Sequence, residues 1–425
     1  MHSELAWVLP FIFLLVAIAV LPLHRYDWWE KNYPWISLGL AIPVAFHYLI
    51  PLVQAEVLLH TAHEYISFIC LIGSLFVVSG GIHIQVKREA TPLVNVAFLF
   101  VGAVSANFLG TTGASMVLVR PWLRMNKYRL TEFHTVFFIF IVSNIGGALT
   151  PIGDPPLFLG YLKGIPFFWV LRNIWEIWFI AIGWLLAFFF VLDWHNFKKA
   201  PPEIRKKQTF HEEWKFQGTH NLLFLALIIG SVFIEHPLYL REVLMVLAAV
   251  LSYKATARPI HQSNDFHFAP IREVAILFAG IFVTMIPALH WFESHASEIG
   301  IHTAGQFYWW SGALSSALDN APTYLNFLSV AVGLFEPGES AEPHAIEMLL
   351  SDHSSHVLAI SVAAVFFGAF TYIGNGPNFL VKSIAERSKA QAPSFFKYVF
   401  FYSCPILLPL FWVVWFVFFR DLGGV

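Results

Sequence analysis

Two stretches decide the fold: T-P-I-G-D-P-P, Thr150 to Pro156, and T-Y-I-G-N-G-P, Thr371 to Pro377. Each interrupts an apolar run that otherwise reads as a membrane span. Helix breakers and an ionisable Asp154 at membrane depth are tolerated mainly where backbone lines a buried cavity. Interruptions at corresponding places in two halves are the best sequence pointer to a secondary transporter's binding site. The chain is therefore expected to move a small ion or solute across a membrane.

The composition agrees. The 425 residues are 57% hydrophobic and 12% charged, where soluble domains carry about 25% charged residues. The basic residues sit in short inter-span loops and form no continuous stripe, so no nucleic-acid partner is expected. Cys70 and Cys404 fall in apolar runs and imply no disulfide framework. Met1 to Leu23 lacks the basic start and small-residue cleavage site of a secretory signal and reads as a retained first span. Hydropathy places spans near 5–22, 34–53, 64–83, 94–109, 132–149, 167–192, 220–235, 238–253, 272–289, 305–320, 355–370 and 397–419.

Charge orients these spans. If the segments following 94–109 and 305–320 are hairpins that enter and leave on one side, all Lys and Arg but Lys163, Arg172, Arg241 and Arg420 fall inside. The loop 336–354, with Glu336, Glu339, Glu342, Glu347 and Asp352, then lies outside, as do both termini. The halves also match. Gly102–Ser105 (G-A-V-S) aligns with Gly312–Ser315 (G-A-L-S), Gly153-Asp154 with Gly374-Asn375, and Pro156 with Pro377. F-V-V-S-G-G-I from Phe76 pairs with F-V-T-M-I-P-A from Phe282. One hairpin opens inside and the other outside, so the repeats are inverted in topology.

The expected organisation has N-terminal scaffold spans at 1–63 and a first repeat at 64–192, with a hairpin about 94–120 and a broken helix about 132–163. A basic cytoplasmic linker follows at 193–219. The second repeat occupies 220–425, with a hairpin about 305–335 and a broken helix about 355–387. The fold class is an all-α polytopic membrane protein.

Four polar clusters are expected to meet near the bilayer midplane: the tips Asn107–Gly113 and Asp319–Thr323, and the breaks Ser143-Asn144 with Thr150–Pro156, and Thr371–Asn378. The candidate ion- or substrate-binding residues are Asn107, Thr111, Thr112, Ser143, Asn144, Thr150, Gly153, Asp154, Asp319, Asn320, Thr323, Thr371, Gly374, Asn375 and Asn378. Broken helices leave carbonyls unpaired at one half's C-terminus and N–H groups at the other's N-terminus, which suit cations and anions respectively. A single Gly-Pro break is often only a kink, but four at symmetric positions are hard to explain so. Asp154 and Asp319 are candidate sodium ligands. Taking a carboxylate out of water favours its protonated form and a bound sodium ion the ionised one, so proton and sodium compete. No Lys or Arg lies within the clusters, which favours a cation over an organic polyanion. His47 and His134 lie deep enough to join a proton path; the other histidines cluster at span ends. An enzyme is not expected: H-E-E-W at His211 lacks the second His of a zinc-protease helix, Lys215 standing there. No cofactor is expected beyond transported or coupling sodium and protons.

Through I-G-D-P-P at Ile152–Pro156, L-D-N-A-P-T at Leu318–Thr323 and I-G-N-G-P-N at Ile373–Asn378, the chain resembles the ion transporter superfamily. That superfamily includes NhaD-type sodium/proton antiporters, ArsB-type arsenite permeases, citrate transporters and divalent anion/sodium symporters. The resemblance implies two re-entrant hairpins, two discontinuous helices, a homodimer and an elevator-like movement of the hairpin-bearing domain. It also implies one cation site from Asn107, Thr111, Thr112, Thr150, Gly153 and Asp154, and a symmetry mate from Asp319, Asn320, Thr323, Thr371, Asn375 and Asn378. Leu157 stands where many relatives have Asn, and the first tip lacks the contiguous Ser-Asn-Thr of dicarboxylate carriers. Sodium/proton antiport in a bacterial inner membrane is the leading expectation. Sodium- or proton-coupled uptake of citrate or a dicarboxylate is the alternative.

Overall fold

A computed structural model describes residues 2–50, 52–85, 90–199, 215–234, 236–336, 342–388 and 390–420. Most of the expected basic linker, residues 200–214 with the H-E-E-W string at His211, and Glu339 lie outside the described residues.

The first half comprises α1 (His2–His24), α2 (Tyr26–Leu49), α3 (Ala55–Gly80), α4 (Pro92–Met125), α5 (Glu132–Ile141), α6 (Pro155–Leu162) and α7 (Phe167–Lys199). The second comprises α8 (Asn221–Ser231), α9 (Leu240–Ala255), α10 (Ala269–Ser294), α11 (Ala304–Ala317), α12 (Asn320–Phe335), α13 (Ser354–Phe367), α14 (Gly376–Arg387) and α15 (Phe395–Phe419). A two-stranded antiparallel ribbon joins β1 (His83–Gln85) to β2 (Lys215–Gln217). The protein is a helical polytopic membrane protein. Trp35, Ile42, Leu223 and Phe401 are among many large apolar side chains turned outward, a surface suited to lipid and not to water.

Among the described residues, seven helices are long and apolar enough to cross a membrane, or eight if a bent pair at His344–Phe367 counts as one. Hydropathy alone marks twelve spans. Four of the other five are segments too short to cross alone at 1.5 Å per residue; the fifth, near 34–53, lies in α2, whose 24 residues are long enough but not apolar enough. Residues 220–235 and 238–253 form α8 and α9, of 11 and 16 residues. The spans near 305–320 and 355–370 are cut to α11 and α13, of 14 residues each, by the interruptions that follow them. Two expected boundaries also fall inside helices: 63/64 inside α3 and 192/193 inside α7. Polar residues end the apolar windows there without ending the helices, because partners hold them. Glu64 ion-pairs with Lys163 at 2.9 Å, and Asp193 is fully buried in a polar knot.

In that knot, Arg129, from the α4–α5 loop, grips both Asp193 oxygens, Nη2 lying 2.8 Å from Oδ2. Asn95 Nδ2 donates to Asp193 Oδ2 at 2.8 Å and His134 Nε2 approaches Oδ1 at 3.2 Å. The knot ties the start of α4, the start of α5 and the end of α7 together. The two deep histidines have other neighbours. His134 Nε2 lies 3.2 Å from Asp193 Oδ1 with its Nδ1 on Thr131 Oγ1, and His47 stacks on Trp7 at 4.0 Å; neither ring hydrogen-bonds to the interruptions among the described residues.

The innermost helices are α5 and α13. Val136 to Val142 are each fully buried, as are Ala359, Ile360 and Val362 to Phe366. A helix apolar all round belongs inside, with neighbours on every side. Helix α13 packs along α11 and the 145–149 turn, α12 packs on α6 and α10, and α14 packs on α4. The interrupted helices therefore form the centre, and α1, α2 and α7 present broad lipid-facing sides.

Removing one partner of a buried charge pair leaves the other uncompensated, a loss of about 3–5 kcal/mol. Arg129→Met is expected to lower the melting temperature of detergent-solubilised protein sharply. The double change Arg129→Met/Asp193→Leu should recover much of the loss; equal melting of single and double variants would contradict the assignment.

Candidate functional site

Each interruption has a local cause. After Ile141 the chain leaves the helix at Asn144 (φ −140, ψ −89), turns through Ile145–Leu149 and runs extended at Thr150 and Asp154. Pro155 and Pro156 then open α6, where their missing N–H groups cost nothing. The second break is built alike: Asn375 is extended (φ −155, ψ 139), and Gly376-Pro377 opens α14. Within α4, Gly110 adopts φ +72, ψ +155 and separates two helical halves, a conformation that favours glycine. Between α11 and α12, Leu318 is extended and Asp319 caps α12.

The two breaks share a bonding pattern. Gly153 N–H donates to Thr150 Oγ1 at 3.1 Å, and Gly374 N–H to Thr371 Oγ1 at 3.1 Å. Each threonine donates across to a hairpin, Thr150 to the Asn107 carbonyl at 2.7 Å and Thr371 to the Ser316 carbonyl at 2.6 Å. Each loop glycine also packs on an earlier one. A methyl on Gly153 would strike the Gly147 carbonyl, and one on Gly374 would come within 2.8 Å of the Gly368 and Ser315 carbonyls.

The centre of the arrangement is the Asp154 carboxylate, 1% exposed. Thr111 donates its hydroxyl to Oδ1 at 2.8 Å, and Asn375 Nδ2 to the same oxygen at 3.0 Å. Asn320 Nδ2 donates to Oδ2 at 2.6 Å. These three donors come from the first tip, the second break and the second tip. No basic side chain contacts Asp154 among the described residues. Asp154 and Asn375 occupy N-cap positions yet do not cap their own helices; their side chains turn toward each other. Asp154 is the N-cap residue of α6, and its donors Thr111, Asn320 and Asn375 sit at the N-termini of the second half of α4, of α12 and of α14. Those N-termini supply positive partial charge where no side chain does.

Around this core, Asn144 Nδ2 donates to Asn378 Oδ1 at 2.6 Å and receives Asn375 Nδ2 on Oδ1 at 3.1 Å. Asn378 Nδ2 secures the Gly368 and Thr371 carbonyls at 2.8 and 2.9 Å. Asn107 braces the first tip, donating to the Gly146 carbonyl at 2.7 Å and accepting from Leu149 N–H at 2.9 Å. Ser143 shares a 2.7 Å hydrogen bond with Ser115. One acceptor has no such use: Asn320 Oδ1 is buried without a hydrogen-bond partner among the described residues. A cavity of about 30 Å³ adjoins Asp154, walled by Thr111, Thr112, Gly153 and Phe158 on one side and by Leu71, Leu75 and Phe76 of α3 on the other. It has room for a water or a small ion, not for a tricarboxylate.

Candidates from both halves meet at the Asp154 carboxylate. Asn375 stands where Asp154 stands in the first repeat, and its neutral carboxamide donates to that carboxylate. Asp319 does not bond to the cluster. It is half-buried and accepts Ala321 N–H at 3.0 Å as the cap of α12. Thr323 donates to the Asp319 carbonyl at 2.9 Å within that helix. Gly147 and Gly368 are the residues that sequence reading passed over. Their signal is present in the chain: each precedes its loop glycine by the same interval, Gly147 to Gly153 and Gly368 to Gly374.

A methyl forced against backbone is expected to cost roughly 1–3 kcal/mol. Gly153→Ala should lower the melting temperature more than Gly374→Ala. Gly376→Ala, with open space around it, should leave melting unchanged.

Over residues 1–419 the chain matches the family model described as "Putative citrate transport". No curated protein matches it in sequence. The chain belongs to this citrate-transport family and is a multi-pass membrane transporter.

Proposed function

We propose that this member of the citrate-transport family is a secondary active transporter that exchanges sodium for protons by alternating access, with Asp154 as the group that binds each in turn. The observation that carries this reading is the Asp154 carboxylate itself: fully buried, met by neutral donors from the three other interruptions, and without a basic partner among the described residues. Such a group is neutralised by a proton or by a bound cation, and the two compete. The unused Asn320 Oδ1 and the adjoining cavity of about 30 Å³ supply a neutral oxygen ligand and space of ionic size. In this reading α4 and α11–α12 are re-entrant hairpins, and they move with the two broken helices as one elevator-like body. The protein works as a homodimer in a bacterial inner membrane, with both termini outside.

Coupled uptake of citrate or another carboxylate is the second reading. The family description favours it, and so do the helix N-termini gathered at the site, which suit an anion. A carboxylate substrate would need the cavity to enlarge in another state of the transport cycle.

In everted vesicles holding a pH gradient, added sodium is expected to collapse the gradient. Asp154→Asn should abolish the response, and Asp319→Asn, which keeps a capping side chain, should reduce it only partly. Absence of any response to sodium or lithium between about pH 6 and 9 would defeat the antiport reading. Sodium-dependent accumulation of labelled citrate in proteoliposomes would instead establish the second.

A further inference from the structure

At the ends of α4 and α14 remote from Asp154 lies a group of arginines with no part in the site above. Arg120 is on the half of α4 that begins at Thr111, and Arg387 closes the half-helix that Asn375 begins. Both guanidinium groups face one oxygen, Asp265 Oδ2, at 3.6 and 3.5 Å. Asp265 lies in the connection leading to α10, and its backbone is held at φ +47, a left-handed conformation costly for most side chains. Its neighbour Asn264 anchors that connection, donating to the Gly80 and Ile82 carbonyls at 2.9 and 2.8 Å and pairing with His83 at 2.8 Å. The carboxylate is thus presented to the arginines by a fixed piece of the fold.

The arginines are under-used. Arg120 is only 15% exposed, and its Nη1 is buried with no hydrogen-bond partner among the described residues. Arg124, one turn further along α4, is exposed and makes no ion pair among the described residues. The nearest acid on α14, Glu386, is taken by Lys382 at 2.9 Å. Two guanidinium groups therefore share one carboxylate oxygen, with a third, on Arg124, one helical turn along from Arg120. Guanidinium forks match the planar oxygens of carboxylate and phosphate, and leaving one without such a partner wastes its donors.

We propose that Arg120, Arg124 and Arg387 form a binding site for a small, multiply charged oxyanion, with Asp265 as a tethered competitor filling part of it. The ligand is a carboxylate or phosphate group, either of a free solute or of a lipid headgroup. Because α4 and α14 run from this site to Thr111 and Asn375, its occupant joins two of the elements that hold Asp154. The site stands whether or not sodium/proton exchange is the transport reaction.

The test uses delipidated full-length protein, titrated calorimetrically with citrate and separately with inorganic phosphate, in the wild type and in Asp154→Asn. Asp154→Asn should leave this binding intact, which separates it from the transport site. Arg387→Gln and Arg124→Gln are expected to weaken binding about tenfold each, and Asp265→Asn to strengthen it about tenfold. All three side chains are exposed, so melting temperatures should stay unchanged and confirm folding. A second arm counts phosphatidylglycerol against phosphatidylcholine retained in native mass spectrometry. Titration heats that follow the variants assign a free solute; phosphatidylglycerol retention lost in Arg387→Gln assigns a headgroup. The proposal is overturned if neither probe binds, if binding ignores Arg387→Gln, or if Asp265→Asn fails to tighten it.

Discussion

One carboxylate organises the middle of this protein. Asp154 is out of water, where an ion loses several kcal/mol of hydration, and three hydrogen bonds of the charge-assisted kind, each worth about 1.5–3 kcal/mol, offset that loss. The donors, Thr111, Asn320 and Asn375, come from three different interruptions. Each donor lies at or beside its break: Thr111 follows Gly110, Asn320 opens α12 and Asn375 precedes α14. The breaks in the helices, the extended backbone at Asp154 and Asn375, and the glycines that let loop meet loop all serve that convergence.

The two halves reach this geometry with the same local parts. A threonine hydroxyl fastens each break to a hairpin, and a glycine carbonyl backs each loop glycine. The symmetry is then broken at one place, Asp154 against Asn375, 3.0 Å apart. Two carboxylates at that separation would repel strongly, and neither could donate to the other while ionised. One acid and one amide make a bonded pair carrying a single charge.

Much of this was readable in the chain. The interruptions, their order and the matching of Gly153-Asp154 with Gly374-Asn375 all follow from helix breakers placed where apolar runs should continue. Thr111, Asn320 and Asn375 were among the candidates for the same reason. What the chain did not reveal was which side chain faces which. Asp319 and Asp154 look equivalent as acids in apolar surroundings, yet one caps a helix and the other accepts from three segments; only the path of the backbone separates them. Likewise Glu64 and Asp193 seemed to mark the ends of spans, because hydropathy registers a charge without its partner. Gly147 and Gly368 escaped notice because a glycine needed for close approach carries no chemistry of its own.

The bonds that complete the centre run between halves of the chain far apart in sequence: Asn320 and Asn375 to Asp154, and Asn378 to Asn144. A nascent chain therefore delivers Asp154 to the membrane long before its amide partners have been synthesised. Until they arrive, the first half has no stable resting place for that group in lipid, so it must wait beside the insertion machinery, keep a local water defect, or stay protonated. Biogenesis of this transporter is thus a late, cooperative closure, and its first half alone should be recognised by membrane quality control as unfinished.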